Sequence, residues 1–144
     1  MIRFVGVLLV VGLLLGACGS ISGSKAMTSW VVQSGFLSSS KVVSKDAQHA
    51  ASALENSSTS DADLHTVCGV LLIDVESANA SLPTSDDRAT TLLSNAYTNL
   101  GAGANECYNA SSSTSVRTKA LKSLASGLGE LSEASARIAS VSTP

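Results

Sequence analysis

Aromatic side chains are nearly missing from this sequence: one Trp, two Tyr and two Phe in 144 residues. That scarcity excludes a base-stacking platform for nucleic acid and an aromatic shelf for sugars. Charge is also sparse and almost balanced, with nine Lys and Arg against eleven Asp and Glu. Nothing resembles the dense basic patch that phosphate backbones or anionic head groups select, so no nucleic-acid partner is expected. The motifs of common catalytic sites are absent as well. There is no Gly-x-Ser-x-Gly elbow, no phosphate-cradling glycine loop, no CxxCH for haem and no Glu-x-x-His pair of the di-iron bundles. The two histidines, His49 and His65, stand in no triad context. The chain is therefore read as non-catalytic, with no cofactor and no metal.

What is present begins at the N-terminus. Met1-Ile2-Arg3 is a short positive segment, and Phe4 to Leu15 carries no charge. At 1.5 Å per residue that apolar run spans about 18–20 Å, well short of a hydrocarbon core of about 30 Å. A cleaved signal peptide fits it better than a permanent transmembrane helix. The run ends in Leu15-Gly16-Ala17-Cys18, which resembles the lipobox of bacterial lipoproteins. The resemblance implies that Leu15, Gly16 and Ala17 are recognition positions, that cleavage precedes Cys18, and that diacylglycerol is attached to the Cys18 thiol. Gly16 departs mildly from the commoner Ala or Ser. Cys18 would then hold the protein on the extracytoplasmic face of the cell membrane, two acyl chains anchoring stably where one does not. Residues 1–17 are read as signal, 18–28 as lipidated Cys plus flexible tether, and 29–144 as the folded domain. Small polar residues such as Gly19-Ser20-Ile21-Ser22-Gly23-Ser24 supply the tether.

Ser and Ala dominate the rest, and with only two prolines this composition favours helices over strands. Apolar residues recur at helical spacing in four stretches. The first is Val32, Phe36, Val43, Ala47, Ala50 and Leu54. The second is Leu64, Cys68, Leu71, Val75, Ala78 and Leu82. The third is Ala89, Leu92 or Leu93, Ala96, Leu100, Gly103 and Cys107. The fourth is Leu121, Leu124, Leu128, Leu131 and Ile138, widened by Ala120, Ala134 and Val141. Between them lie Asn56 to Ser60, the Pro83 turn and the Ser-rich stretch Asn109 to Thr114. Ser60-Asp61-Ala62-Asp63 has capping-box form, and Thr84-Ser85-Asp86-Asp87 places acids at a helix start. The expected architecture is all-α, an antiparallel four-helix bundle with short links.

With Cys18 lipidated, Cys68 and Cys107 remain as an even pair in an oxidising compartment. A disulfide between the second and third helices is expected; the alternative is two free buried thiols. A tight hairpin at Pro83 would set the two cysteines about 12–14 Å apart in height, beyond a bridge's Cα separation of about 4.4–6.8 Å. Levelling them requires the second helix to end near Asn79 and residues 80–85 to climb. His65 lies one turn from Cys68 and could be drawn as a metal ligand with His49 or Cys107, but a surface His beside a bridged Cys is the simpler account. Asp46 and Asp74 flank the core stripes as solvated groups or as partners of Lys41, Lys45 or Arg137. Trp30 either caps the end of the bundle or dips toward the membrane.

The mature part also resembles small actinobacterial lipoproteins, mycobacterial ones included, through Trp30, Cys68, Leu71, Asp74, Pro83 and Cys107. That resemblance implies compartment and fold but no activity. Two functions stay open. One is an interaction or adaptor module for another envelope protein. The other is a carrier of a small apolar or lipidic ligand inside the bundle.

Overall fold

The computed structural model describes residues 23–110 and 113–143, and every regular element among them is an α-helix. The helices are α1 (Gly23–Ser34), α2 (Phe36–Glu55), α3 (Asp61–Asn79), α4 (Asp87–Tyr108) and α5 (Thr114–Ser142). Leu15, Gly16, Ala17 and Cys18 lie outside the described residues.

Two sequence boundaries need correction. The helical structure starts at Gly23, so residues 23–28, assigned above to the tether, form the first half of α1, and Met27 is fully buried. The first apolar stretch is two helices rather than one, because Gly35 adopts a left-handed φ of 63° between them. That turn rotates Val32 off the stripe, and it is 75 % exposed. Phe36, Val43, Ala47, Ala50 and Leu54 remain buried along α2.

Three helix ends are satisfied by side chains. Ser60 caps α3, its Oγ accepting from the Asp63 backbone N–H at 3.2 Å and donating to the Asp63 carboxylate at 2.7 Å. Asp86 caps α4 by accepting from Ala89 N–H at 2.8 Å. At the other end of α2, Arg117 reaches across from α5 and donates to the carbonyls of Leu54 (3.2 Å), Asn56 (3.1 Å) and Thr59 (3.4 Å). A cation there answers both the free carbonyls and the negative end of the dipole.

Contact between α4 and α5 is close because two positions carry no Cβ. A Cβ on Gly127 would stand 2.6 Å from Leu100 Cγ and 2.9 Å from the Leu100 backbone nitrogen. One on Gly103 would stand 2.8 Å from Leu124 Cγ and 2.9 Å from the Leu124 nitrogen. Asn99 donates to Glu130 at 2.7 Å, and Lys119 pairs with Glu106 at 2.8 Å. Gly127 therefore takes the core position that the sequence assigned to Leu128, which is only half-buried; Leu124, Leu131, Ala134 and Ile138 are buried as expected.

Cys68 and Cys107 are bonded, with Cα atoms 5.9 Å apart. The height problem is met as anticipated: α3 stops at Asn79 and α4 starts only at Asp87. The link between them is held from three sides. Trp30 Nε1 of α1 donates to Ser81 O at 3.1 Å. Thr84, almost fully buried, takes part through its N–H and hydroxyl with Thr90 Oγ1 at 2.9 and 3.0 Å. Arg137 of α5 grips Asp86 with Nε and Nη2 at 3.1 and 2.7 Å. Trp30 thus caps this end of the domain, its ring centre 5.4 Å from that of Phe36.

Helix propensity alone says that Gly→Ala stabilises a helix by about 1 kcal/mol. Gly129, whose Cβ would meet nothing within 4 Å, should show that gain in denaturant unfolding. Gly127→Ala should instead lose about 1–3 kcal/mol, since the blocking atoms include backbone that cannot turn aside. Reduction of Cys68–Cys107 opens a loop with a sequence separation of 39 and should lower unfolding free energy by about 4 kcal/mol, leaving far-UV helicity largely intact.

Candidate functional site

The interior is filled by small and branched side chains, Ala47, Ala50, Ala96, Leu71, Leu93 and Leu124 among them. The concavities described lie between helices and open to solvent. The groove between α3 and α4, of about 550 Å³, is walled by Leu72, Val75, Tyr97 and Gly101 and rimmed by Glu76 and Asn105. Tyr97 is buried, its hydroxyl has no hydrogen-bond partner among the described residues, and burial pushes its pKa up to about 12.

Outside the core, large aliphatic side chains of α2 and α3 are exposed, Val42, Val70 and Ile73 among them, Ile73 to 68 %. Val70 and Ile73 are three residues apart, one turn of the same helix side. Val42 stands one turn before Asp46, and Val70 one turn before Asp74. Those two carboxyls stand close to each other across the helix pair. Partial burial first, then the Asp46 hydrogen bond and charge, raise Asp74 above its ordinary 3.8. The α2/α3 face therefore carries an acid pair framed by aliphatic side chains.

The sequence placed Asp46 and Asp74 beside lysines, Arg137 or solvent. Arg137 instead serves Asp86, whose carboxyl it holds below its ordinary 3.8, helped by the Ala89 N–H against a smaller desolvation effect. Alternating polar positions on two separate helices carry no signal that the two acids will meet, because that depends on helix register. The Arg117 and Arg137 clamps were missed for the same reason. His65 stacks on Tyr108 with ring centres 4.4 Å apart. Neighbouring Cys68 is spent in the disulfide, and no group of three possible ligands among the described residues is placed to hold a metal. No helix among the described residues is long and apolar enough to cross a membrane.

Comparison with protein-family models, curated proteins and solved structures finds no match to this chain.

The two acid sites respond to pH with opposite signs. A raised folded-state pKa means that Asp74's contribution is complete below the ordinary value of 3.8 and is lost as pH rises through its folded value. Asp86, lowered, contributes above 3.8 and loses that contribution as pH falls through its folded value. Asp46→Asn should stabilise the protein at neutral pH and bring the Asp74 titration, followed by carboxyl NMR, back down. Asp86→Asn should destabilise at neutral pH, with the deficit shrinking in acid. The reverse order of the two variants in neutral unfolding experiments would overturn this assignment.

Proposed function

We propose that the chain is a cell-envelope lipoprotein, anchored on the extracytoplasmic face through lipid on Cys18, whose helical domain is a non-catalytic interaction module. Its architecture on this reading is an antiparallel four-helix bundle of α2 to α5, with α1 folded over one end. Paired residues support that arrangement. Cys68 meets Cys107 and Val75 meets Gly101 between α3 and α4, while Gly103 meets Leu124 and Gly127 meets Leu100 between α4 and α5. Each helix pair thus descends in number on one side as it ascends on the other.

The charge, length and ending of the Met1–Cys18 segment support the anchor, with Leu15, Gly16 and Ala17 as signal recognition positions. A structural disulfide suits an oxidising compartment. What carries the interaction reading is the combination of a filled core with the apolar face of Val42, Val70 and Ile73. Exposed aliphatics on neighbouring helices suit a surface that another protein covers. The partner is another envelope protein. A carrier of a small apolar ligand has less support, because the concavities are open grooves and not an enclosed apolar chamber.

Both halves can be tested in intact cells. Cys18→Ala should shift the protein from the membrane fraction to an unprocessed or soluble form; a fully processed variant that stays in the membrane sinks the anchor. A photo-crosslinker at Ile73 should capture one defined envelope protein, whereas the same group at exposed Ser126 on α5 should not. Equal capture at both positions would remove the α2/α3 face from consideration.

A further inference from the structure

Acids and bases nearly balance over the whole chain, but they are not evenly distributed. No Asp or Glu precedes Asp46, whereas Arg3, Lys25, Lys41 and Lys45 do. The described part of that acid-free stretch is α1 and the first half of α2. Lys25, Lys41 and Lys45 are exposed, and none of them forms a salt bridge among the described residues. The same stretch holds the two most exposed large aliphatic side chains described, Val32 at 75 % and Leu37 at 70 %, flanking the turn at Gly35. Helical spacing places Lys25 and Val32 on one outer strip of α1, and Leu37, Lys41 and Lys45 along one outer strip of α2.

Chain length says what lies against this corner. The five Cα–Cα steps from Cys18 to Gly23 span at most about 18 Å. With lipid on Cys18, the start of α1 stays within that distance of the head groups. Helix α1 crosses the end of the domain where α2 begins and α5 finishes, as the Thr28 Oγ1 to Ser142 O hydrogen bond of 3.4 Å records. Trp30 is turned inward to Ser81, and the exposed side of α1 carries Lys25 and Val32 among the neutral Thr28, Ser29 and Gln33.

We propose that the α1–α2 corner is the surface on which the domain sits on an anionic bilayer. Val32 and Leu37 enter the interface, and Lys25, Lys41 and Lys45 meet lipid phosphates. This seating rests on lipidation at Cys18, which sets the distance. Ile73 stands on α3, outside this corner. The sequence has no dense basic patch, and none is needed. Each lysine near an anionic surface shifts the balance by about fivefold, and covalent anchoring supplies the concentration.

The test couples purified protein beginning at Cys18 through that free thiol to maleimide-bearing vesicles, with the Cys68–Cys107 bond intact. A clickable environment-sensitive fluorophore is placed at position 32 or 73 through an unnatural amino acid. On vesicles containing phosphatidylglycerol, brominated lipid should quench the probe at 32 and leave the probe at 73 in water. Replacing all three lysines with Gln should lower the seated-to-free ratio by about fivefold per lysine, as should exchanging phosphatidylglycerol for phosphatidylcholine. Equal quenching at 32 and 73, no quenching at 32, or an unchanged ratio in the triple variant overturns the proposal. The anchor here is chemical, so such a failure counts against seating alone, while cellular fractionation of Cys18→Ala reports on lipidation alone.

Discussion

The distance between α4 and α5 is set by backbone meeting side chain at Gly103 and Gly127, where any Cβ would collide with Leu124 or Leu100. Much else depends on that approach. With the two longest helices in close register, Arg137 near the end of α5 reaches Asp86 at the start of α4, and Lys119 near the start of α5 reaches Glu106 near the end of α4. Arg117, on the same helix, then falls beside the last turn of α2 and satisfies its carbonyls. A core built from Ala, Gly and Leu has little aromatic bulk to bury, so close helix approach is how it reaches dense packing.

A second constraint follows from the unequal lengths of α3 and α4. Because Cys68 and Cys107 must stand level, the first turns of α4 run beyond the end of α3, and the link at 80–86 covers them. Such a link exposes backbone groups that a helix would have paired. Ser81 O takes the Trp30 indole, Thr84 N–H takes Thr90 Oγ1, and Asp86 is both helix cap and partner of Arg137. The only tryptophan is thus spent on closing the end of the domain. Its neighbours on α1, free of that duty, present aliphatic and basic groups outward, next to the residues that lead to Cys18.

The α2/α3 pair is assembled differently. No glycine slot joins these helices among the described residues; across them Asp46 stands beside Asp74, and partial burial together with that neighbour raises the Asp74 carboxyl above its ordinary 3.8. An acid pair of this kind does not strengthen the fold at neutral pH, and the aliphatic side chains beside it stay in water at a cost. Both features suit the interaction surface proposed for this face.

Local signals made much of this readable in advance. Four apolar stripes, the cap at Ser60, the acids opening α4 and the stop before Pro83 each depend on residues within a turn or two, so sequence spacing carries them. The cysteine pairing was readable too, because parity and helix rise limited the ways two buried thiols could be levelled. What the sequence did not convey depends on register and on single backbone angles. Gly35 reads like any other glycine until its left-handed φ splits the first stretch and turns Val32 outward. Leu128 matches the apolar stripe as well as its neighbours do, yet Gly127 holds the core position because only it lets α5 approach Leu100. By itself the sequence determined that this chain makes amphipathic helices with a bridged pair of cysteines, since propensity, capping and period are local properties. Which carboxylates meet, which arginines clamp and which faces remain uncovered was decided only in the tertiary structure, because those contacts join residues tens of positions apart.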